Sequence, residues 1–182
     1  MMKEGPGFST ATFAGGCFWC TESDFAKHAG IVKVVSGYTG GHKAHPSYEE
    51  VLTGRTGHVE AVQITYDERK ISYEQLLDIF WRHVDPTDTG GQFVDRGAQY
   101  RTAIFYHDER QKQSAERSKQ ALDRSERFDK PVLTDILPLQ AFYPAESYHQ
   151  EYYKKSPLRY MFYRSNSGRD QFLRSVWQKK AR

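Results

Sequence analysis

Cysteine is scarce in this chain, with two residues among 182. That excludes a disulfide framework as the source of stability, because such a framework needs several bridges. Long apolar runs are missing too. Nothing approaches the roughly 20 residues that cross a bilayer, and Met1-Met2-Lys3-Glu4-Gly5-Pro6 lacks the apolar stretch of a secretory signal. The expected compartment is therefore the reducing cytoplasm, with no membrane partner. Neither sign of charge dominates: 26 Lys and Arg against 23 Asp and Glu leave +3, too little to mark a nucleic-acid surface. No repeat, low-complexity segment or linker interrupts the sequence. Residues 1–182 are read as one domain, long enough to bury a core, behind a short mobile N-terminal tail.

Aromatic side chains are what the chain has instead. They make up 14% of it, mostly Tyr and Phe, and they serve a pocket as well as a core. Apolar periodicity gives the order of elements. Residues 10–14 and 31–36 read as strands, and residues 21–28 between them are compatible with a helix. A glycine-rich loop closes the second strand at Gly37-Tyr38-Thr39-Gly40-Gly41, and residues 47–52 form a short helix. Residues 58–66 alternate as a strand, with Glu60, Val62, Ile64 and Tyr66 on its more apolar face. In residues 72–84, Ser72 and Gln75 stand at capping-box spacing, and Leu76, Leu77, Phe80, Trp81 and Val84 at helical spacing. A glycine-rich loop follows over 87–99. Then come a strand at 102–106, a long polar helix at 108–127, a strand at 132–137, a short aromatic helix at 147–154 and a last helix at 169–180. This order fits an α+β fold of the ferredoxin-like α/β plait type (split β-α-β): a mainly antiparallel sheet with packed helices, followed by an irregular C-terminal extension.

The two cysteines stand together in Gly15-Gly16-Cys17-Phe18-Trp19-Cys20. A strand leads in and a helix leads out, so the pair falls at a helix N-terminus. There, free N–H groups and the helix dipole favour a thiolate. Cys17 is the candidate nucleophile, and Cys20 stands where it can capture an oxidised Cys17 as a disulfide. The same spacing also serves metal binding. His42 and His45 could add two nitrogens, but no second cysteine pair completes a familiar zinc site.

Phe18 and Trp19, between the cysteines, are either core or the wall of a pocket that accepts a thioether. Glu60 is a candidate acid. If its apolar face is buried, desolvation keeps it protonated near neutrality; if the strand twists there, it is merely exposed. Tyr48, Asp95 and Tyr100 lie in or beside loops, the last two in a glycine-bearing segment shaped like a binding loop. The basic, aromatic segment 146–155 is read as support for the site rather than as a platform for nucleic acid.

Six segments in order resemble methionine sulfoxide reductase A: Gly16-Cys17-Phe18-Trp19; Gly37-Tyr38-Thr39-Gly40-Gly41; Pro46-Ser47-Tyr48-Glu49-Glu50-Val51; Thr56-Gly57-His58-Val59-Glu60-Ala61-Val62; the Gly90-Gly91-Gln92 loop through Tyr100-Arg101; and Ala145-Glu146-Ser147-Tyr148-His149-Gln150. They span about residues 10–153. The resemblance implies an α/β plait and reduction of the S epimer of methionine sulfoxide, protein-bound or free, by a monomer without metal or organic cofactor. It implies Cys17 as nucleophile, Phe18 and Trp19 as a cage for the substrate methyl group, and Glu60 as proton donor. Tyr48 and Tyr100 would hydrogen-bond the sulfoxide oxygen, Asp95 would support the polar network, and thioredoxin would be the external reductant. Many members of this family carry Gly at the position of Cys20 and place their recycling cysteines near the C-terminus. Here that segment has none, which leaves Cys20 as the one intramolecular partner for Cys17. The rival readings are a general C-x-x-C disulfide oxidoreductase and a zinc-binding interaction module.

Overall fold

The structure, a computed structural model, describes residues 5–178. The expected N-terminal tail falls mostly outside the described residues, as does the end of the last expected helix. In chain order the elements are β1 (Phe8–Gly15), α1 (Phe18–Ala26), β2 (Ile31–Thr39), α2 (Tyr48–Leu52), β3 (Val59–Asp67), α3 (Tyr73–Trp81), β4 (Gly91–Gln92), β5 (Asp95–Arg96), β6 (Thr102–Tyr106), α4 (Glu109–Arg124), β7 (Asp135–Pro138), β8 (Phe142–Pro144), α5 (Tyr152–Lys155), α6 (Pro157–Ser167) and α7 (Arg169–Trp177), with single 3-10 turns at Ala98–Tyr100 and Ser147–His149.

The fold is mixed α+β. One sheet has the order β7-β6-β1-β3-β2-β8, and β4 and β5 form a separate small ribbon. Every neighbouring pair is antiparallel except β6 with β7. Strand alternation sorts the core. Phe13, Val62 and Ile64 join the main cluster with Phe25 of α1 and Leu76, Leu77 and Phe80 of α3. Ala14, Val59 and Ala61 turn to the other face, with Ala103 and Phe105. Phe13 stacks against both Phe25 and Phe80, at 5.2 Å each. The capping box of α3 forms as its spacing predicts: the Ser72 hydroxyl accepts the Gln75 N–H, and the Gln75 side chain accepts the Ser72 N–H.

Several elements differ from the sequence expectation, each for a tertiary reason. Helix α1 starts at Phe18, not at residue 21, which puts Cys20 in its first turn. Strand β2 runs through Gly37-Tyr38-Thr39, expected as a loop, because these residues pair with both β3 and β8. Gly37 is required there, since a Cβ would lie 2.4 Å from the Tyr143 carbonyl oxygen. The strand expected at 132–137 forms at Asp135–Pro138, beside β6. The aromatic helix expected at 147–154 is broken at Glu151, which has φ 51° and gives its N–H to Glu22 Oε1 at 2.8 Å. Strand β8 and helix α6 were not anticipated. Among the described residues no helix is long and apolar enough to cross a membrane.

Candidate active site

Strand β1 delivers the chain to Gly15, and a sharp turn at Gly16 aims it into α1. Gly16 has φ +85°, and a Cβ there would sit 2.7 Å from Cβ of Gln92. That turn makes Cys17 the N-cap residue of α1. Both cysteines are free thiols and buried, Cys20 completely. The first helical N–H, that of Phe18, points at Glu60 Oε1 at 3.2 Å.

This arrangement corrects the expectation that the helix N-terminus alone lowers the Cys17 thiol. In the reduced protein burial pushes Cys17 up, and its hydrogen bond with Cys20 and the nearby charges of Cys20, Glu60 and Asp95 act in the same direction. The lowered thiol is Cys20, at about 7. The hydrogen bond from Cys17 favours its anion most, Arg169 and Arg164 help, and burial opposes them.

Glu60 lies on the helix-covered face, directly opposite Tyr38 across the ladder, and is 2% exposed. Burial pushes its carboxyl up to about 8 and Asp95 adds to the shift, while the Phe18 N–H and the Tyr100 hydroxyl partly offset it. It is therefore largely protonated at neutral pH. Tyr48, at the start of α2, and Tyr100, in the 3-10 turn after β5, are both held well above the ordinary phenol range by burial and then by Glu60. They remain donors. Asp95, on β5, is pushed up by burial and accepts a hydrogen bond from Tyr163.

The aromatic wall has two layers. Phe18 is 1% exposed and packs on Tyr38 and His149, at 5.8 and 5.0 Å. Trp19 is only partly buried; it stacks on Tyr152 at 3.9 Å and meets the edge of Tyr163 at 5.8 Å. Its indole N–H donates to Nδ1 of His149 at 3.0 Å, and the His149 ring lies edge-on to Tyr48 at 4.4 Å. The structure thus gathers Cys17, Cys20, Phe18, Trp19, Tyr48, Glu60, Asp95 and Tyr100 around one point. Their mutual electrostatic influence also draws in Tyr163. His42 and His45 do not join them. His45 packs edge-on to Tyr143 at 5.1 Å, and among the described residues no group of three or more His, Cys, Asp or Glu could hold a metal ion.

A family model described as peptide methionine sulfoxide reductase matches residues 9–181. The chain belongs to that family. It is 57% identical to the peptide methionine sulfoxide reductase MsrA of Bacillus licheniformis over 170 residues, 93% of this chain and 94% of that protein. Among solved structures it is similar to reduced Mxr1 of Saccharomyces cerevisiae (33% identity, TM-score 0.80, covering 86% of this chain and 90% of that one). It is also similar to methionine sulfoxide reductase A of Corynebacterium diphtheriae (32% identity, TM-score 0.81, covering 87% and 79%). Mxr1 has also been solved in complex with Trx2.

Within this reductase, Tyr163 and Arg169 shape the site without belonging to any of the six segments, and Glu146 does so from within the last of them. Tyr163 of α6 reaches Asp95. Arg169 of α7 donates to the Gly15 carbonyl, at the turn that presents Cys17, at 3.0 Å. Glu146 accepts from the Tyr38 hydroxyl at 2.8 Å and from the Tyr48 N–H at 3.0 Å, tying β2 to α2. Segment 146–155 supports the site as its composition suggests, through Glu146, His149 and Gln150. For α6, the usable signal was Pro157 opening a helical pattern.

Proposed function

We propose that this methionine sulfoxide reductase acts on the S epimer, protein-bound or free, by a thiol cycle centred on Cys17. Its sulfur attacks the sulfoxide sulfur while Glu60 protonates the oxygen. Tyr48 and Tyr100 stabilise charge developing on that oxygen, and Asp95 supports the network. Trp19 forms the open wall of the methyl cage, and Phe18 backs it. The substrate S–O bond and the new sulfur–sulfur bond then break as the hydroxyl passes to the Cys17 sulfur, so that methionine leaves with two more electrons and Cys17 becomes a sulfenic acid; the Cys20 thiol attacks that sulfur, and the hydroxyl leaves as water with the Cys20 proton. Thioredoxin then reduces the disulfide, as the complex of the yeast relative with Trx2 suggests. Two substrates used in turn predict ping-pong kinetics.

The observation that carries this reading is Glu60 buried beside a buried cysteine pair, with the Phe18 N–H between them at 3.2 Å from its carboxylate oxygen; burial pushes that carboxyl up to about 8, which suits an acid next to a nucleophile. The reading needs no metal or organic cofactor, and it takes residues 1–182 as one catalytic domain, monomeric and cytoplasmic. The order β6-β1-β3-β2, antiparallel throughout and joined by α1 and α3, supports viewing the core as a split β-α-β plait.

The deciding experiment is an anaerobic single turnover of reduced protein with separated S and R epimers of a methionine sulfoxide peptide, followed by intact mass and peptide mapping. Reduction of the S epimer alone, with loss of two hydrogens as a Cys17–Cys20 bond, is expected. Reduction of the R epimer, or oxidation without that bond, would refute the assignment.

A further inference from the structure

His58 is 2% exposed and stands immediately before β3, two residues ahead of Glu60. Both of its ring nitrogens are engaged by the loop that leads from β2 to α2. Nδ1 faces the Gly41 N–H at 3.0 Å, and Nε2 faces the Lys43 carbonyl oxygen at 2.7 Å. A backbone N–H can only donate and a carbonyl can only accept. The two contacts therefore fix the ring as the neutral tautomer with its proton on Nε2. Between them the His42 N–H donates to the Thr56 carbonyl at 3.0 Å. The loop is thus laced to the entry of β3 at three successive residues. The approach is close, since a Cβ on Gly41 would lie 2.4 Å from the His58 nitrogen and 2.6 Å from its ring.

This loop ends at Ser47, the N-cap of α2, and Tyr48 is the first residue of that helix. Glu50 completes the capping box. Its carboxylate accepts the Ser47 N–H at 2.9 Å and meets Lys43 Nζ at 3.1 Å. Lys43 therefore joins His58, through its carbonyl, to the cap that precedes Tyr48, through its ammonium. The Lys43–Glu50 pair is half exposed and holds little by itself. The imidazole is the stronger anchor, because losing it strands a backbone donor and a backbone acceptor.

We propose that His58 is a positioning residue for the sulfoxide-reduction step: it pins the 41–47 loop to β3 and so sets the Tyr48 hydroxyl relative to the Glu60 carboxyl on that same strand. The proposal rests on the reading of Tyr48 and Glu60 given above. His58 touches no reacting atom and moves no proton. Glu60 is carried by a central strand, whereas Tyr48 follows a loop. Donors that stabilise charge developing in a transition state act only when held in place, and the imidazole supplies the joint between the two.

The test is anaerobic single-turnover reduction of methionine-S-sulfoxide by His58 variants, alone and combined with Tyr48→Phe, with a saturation curve and urea denaturation for each protein. His58→Ala should slow the step at saturating substrate about 10-fold, with half-saturation moved less than about twofold. His58→Asn, whose side-chain oxygen can accept from Gly41, should recover part of that rate. In the Tyr48→Phe background His58→Ala should cost nothing further, because the hydroxyl it positions is gone. Nitrogen NMR of labelled histidine should show His58 protonated on Nε2 alone. Rate losses that multiply in the double variant overturn the proposal and leave the thiol cycle standing. So does a wild-type rate in folded His58→Ala, or a His58 ring protonated on Nδ1. If His58→Ala does not fold, His58→Asn in the two backgrounds gives the same comparison. A wild-type rate in Tyr48→Phe would overturn the role of Tyr48 and this proposal with it, and sulfoxide reduction by Cys17→Ser would overturn the cycle itself.

Discussion

The sheet with α1 and α3 and the C-terminal wrap from β8 to α7 are held by different forces, and the difference shows what each can supply to a site. The first region is dry. Phe13, Phe25, Ile64, Leu76 and Phe80 are all 1% exposed or less and interlock without polar atoms. The wrap is fastened by polar bonds: Glu146 to Tyr38 and Tyr48, Gln150 to Ser36, Arg164 to Asp24, and Arg169 to Gly15. Apolar packing gives rigidity and a low dielectric, so it holds Glu60 neutral. Charged fasteners give a local field, and the charges of Arg169 and Arg164 reach the cysteine pair.

The sharpest way to probe the first region is its buried acid. Glu60→Gln keeps shape and burial but cannot donate a carboxylic proton, so the sulfoxide-reduction step should fall by about 10²- to 10⁴-fold. In the wild type Glu60 is protonated below about pH 8 and loses that proton above it, so the rate should decline through that value. In Glu60→Gln the decline should vanish. An unchanged rate in stopped-flow single turnover would remove Glu60 from the chemistry.

Stability should follow the same division. Phe80→Ala removes a ring that stacks on Phe13 and packs on Trp81. It should cost about 3–5 kcal/mol in urea denaturation, from lost transfer energy and the cavity left behind. A loss under about 1 kcal/mol would mean that the core collapses readily and the dry region is not the rigid one.

The same division marks what was legible in the sequence. Glu60 could be placed because Val62, Ile64 and Tyr66 repeat at its parity, a local signal, although parity alone left burial and exposure open. The capping box of α3 announces its start, while that of α2, Ser47 with Glu50, is a finding of the structure. Tyr163 and Arg169 gave no such signal. Their partners, Asp95 and Gly15, lie far off in sequence, and a polar bond at that separation leaves no periodicity behind. The continuation of β2 was hidden for a related reason: Gly37 and Gly40 read as loop until β8 is known to approach Gly37. The helix dipole at the N-cap is a local signal, whereas the hydrogen bond from Cys17 and, after it, the guanidinium groups from α7 and α6 that favour the Cys20 anion are set by the fold.

Gln150 tests whether the wrap is held as strongly as it looks. Its carbonyl accepts from the Ser36 N–H at 2.9 Å, and its amide donates to the carbonyls of Ser36 and Ala145 at 2.8 and 3.1 Å. Gln150→Ala leaves part-buried backbone groups without partners and should cost about 1–3 kcal/mol, less than Phe80→Ala. Because the 3-10 turn before it carries His149, the partner of Trp19, the methyl cage should loosen too. The expected signature is a KM for methionine sulfoxide that rises more than kcat falls. A stability loss equal to that of Phe80→Ala would erase the contrast between the two regions.

Leu158 marks the lower limit. It is 82% exposed on α6, with Met161 and Phe162 one turn on and exposed as well, while Tyr160 and Tyr163 of the same helix turn inward. If the wrap is held by the inward polar face alone, Leu158→Ser removes almost no buried area. The change in thermal or urea stability should then stay within about 0.5 kcal/mol. A loss of 2 kcal/mol or more, on the scale of a buried side chain, would show that this outer face packs against something in solution. The fastening of the wrap would then be partly apolar after all, and the charged inward bonds would no longer suffice to explain how Tyr163 and Arg169 are held against the cysteine pair.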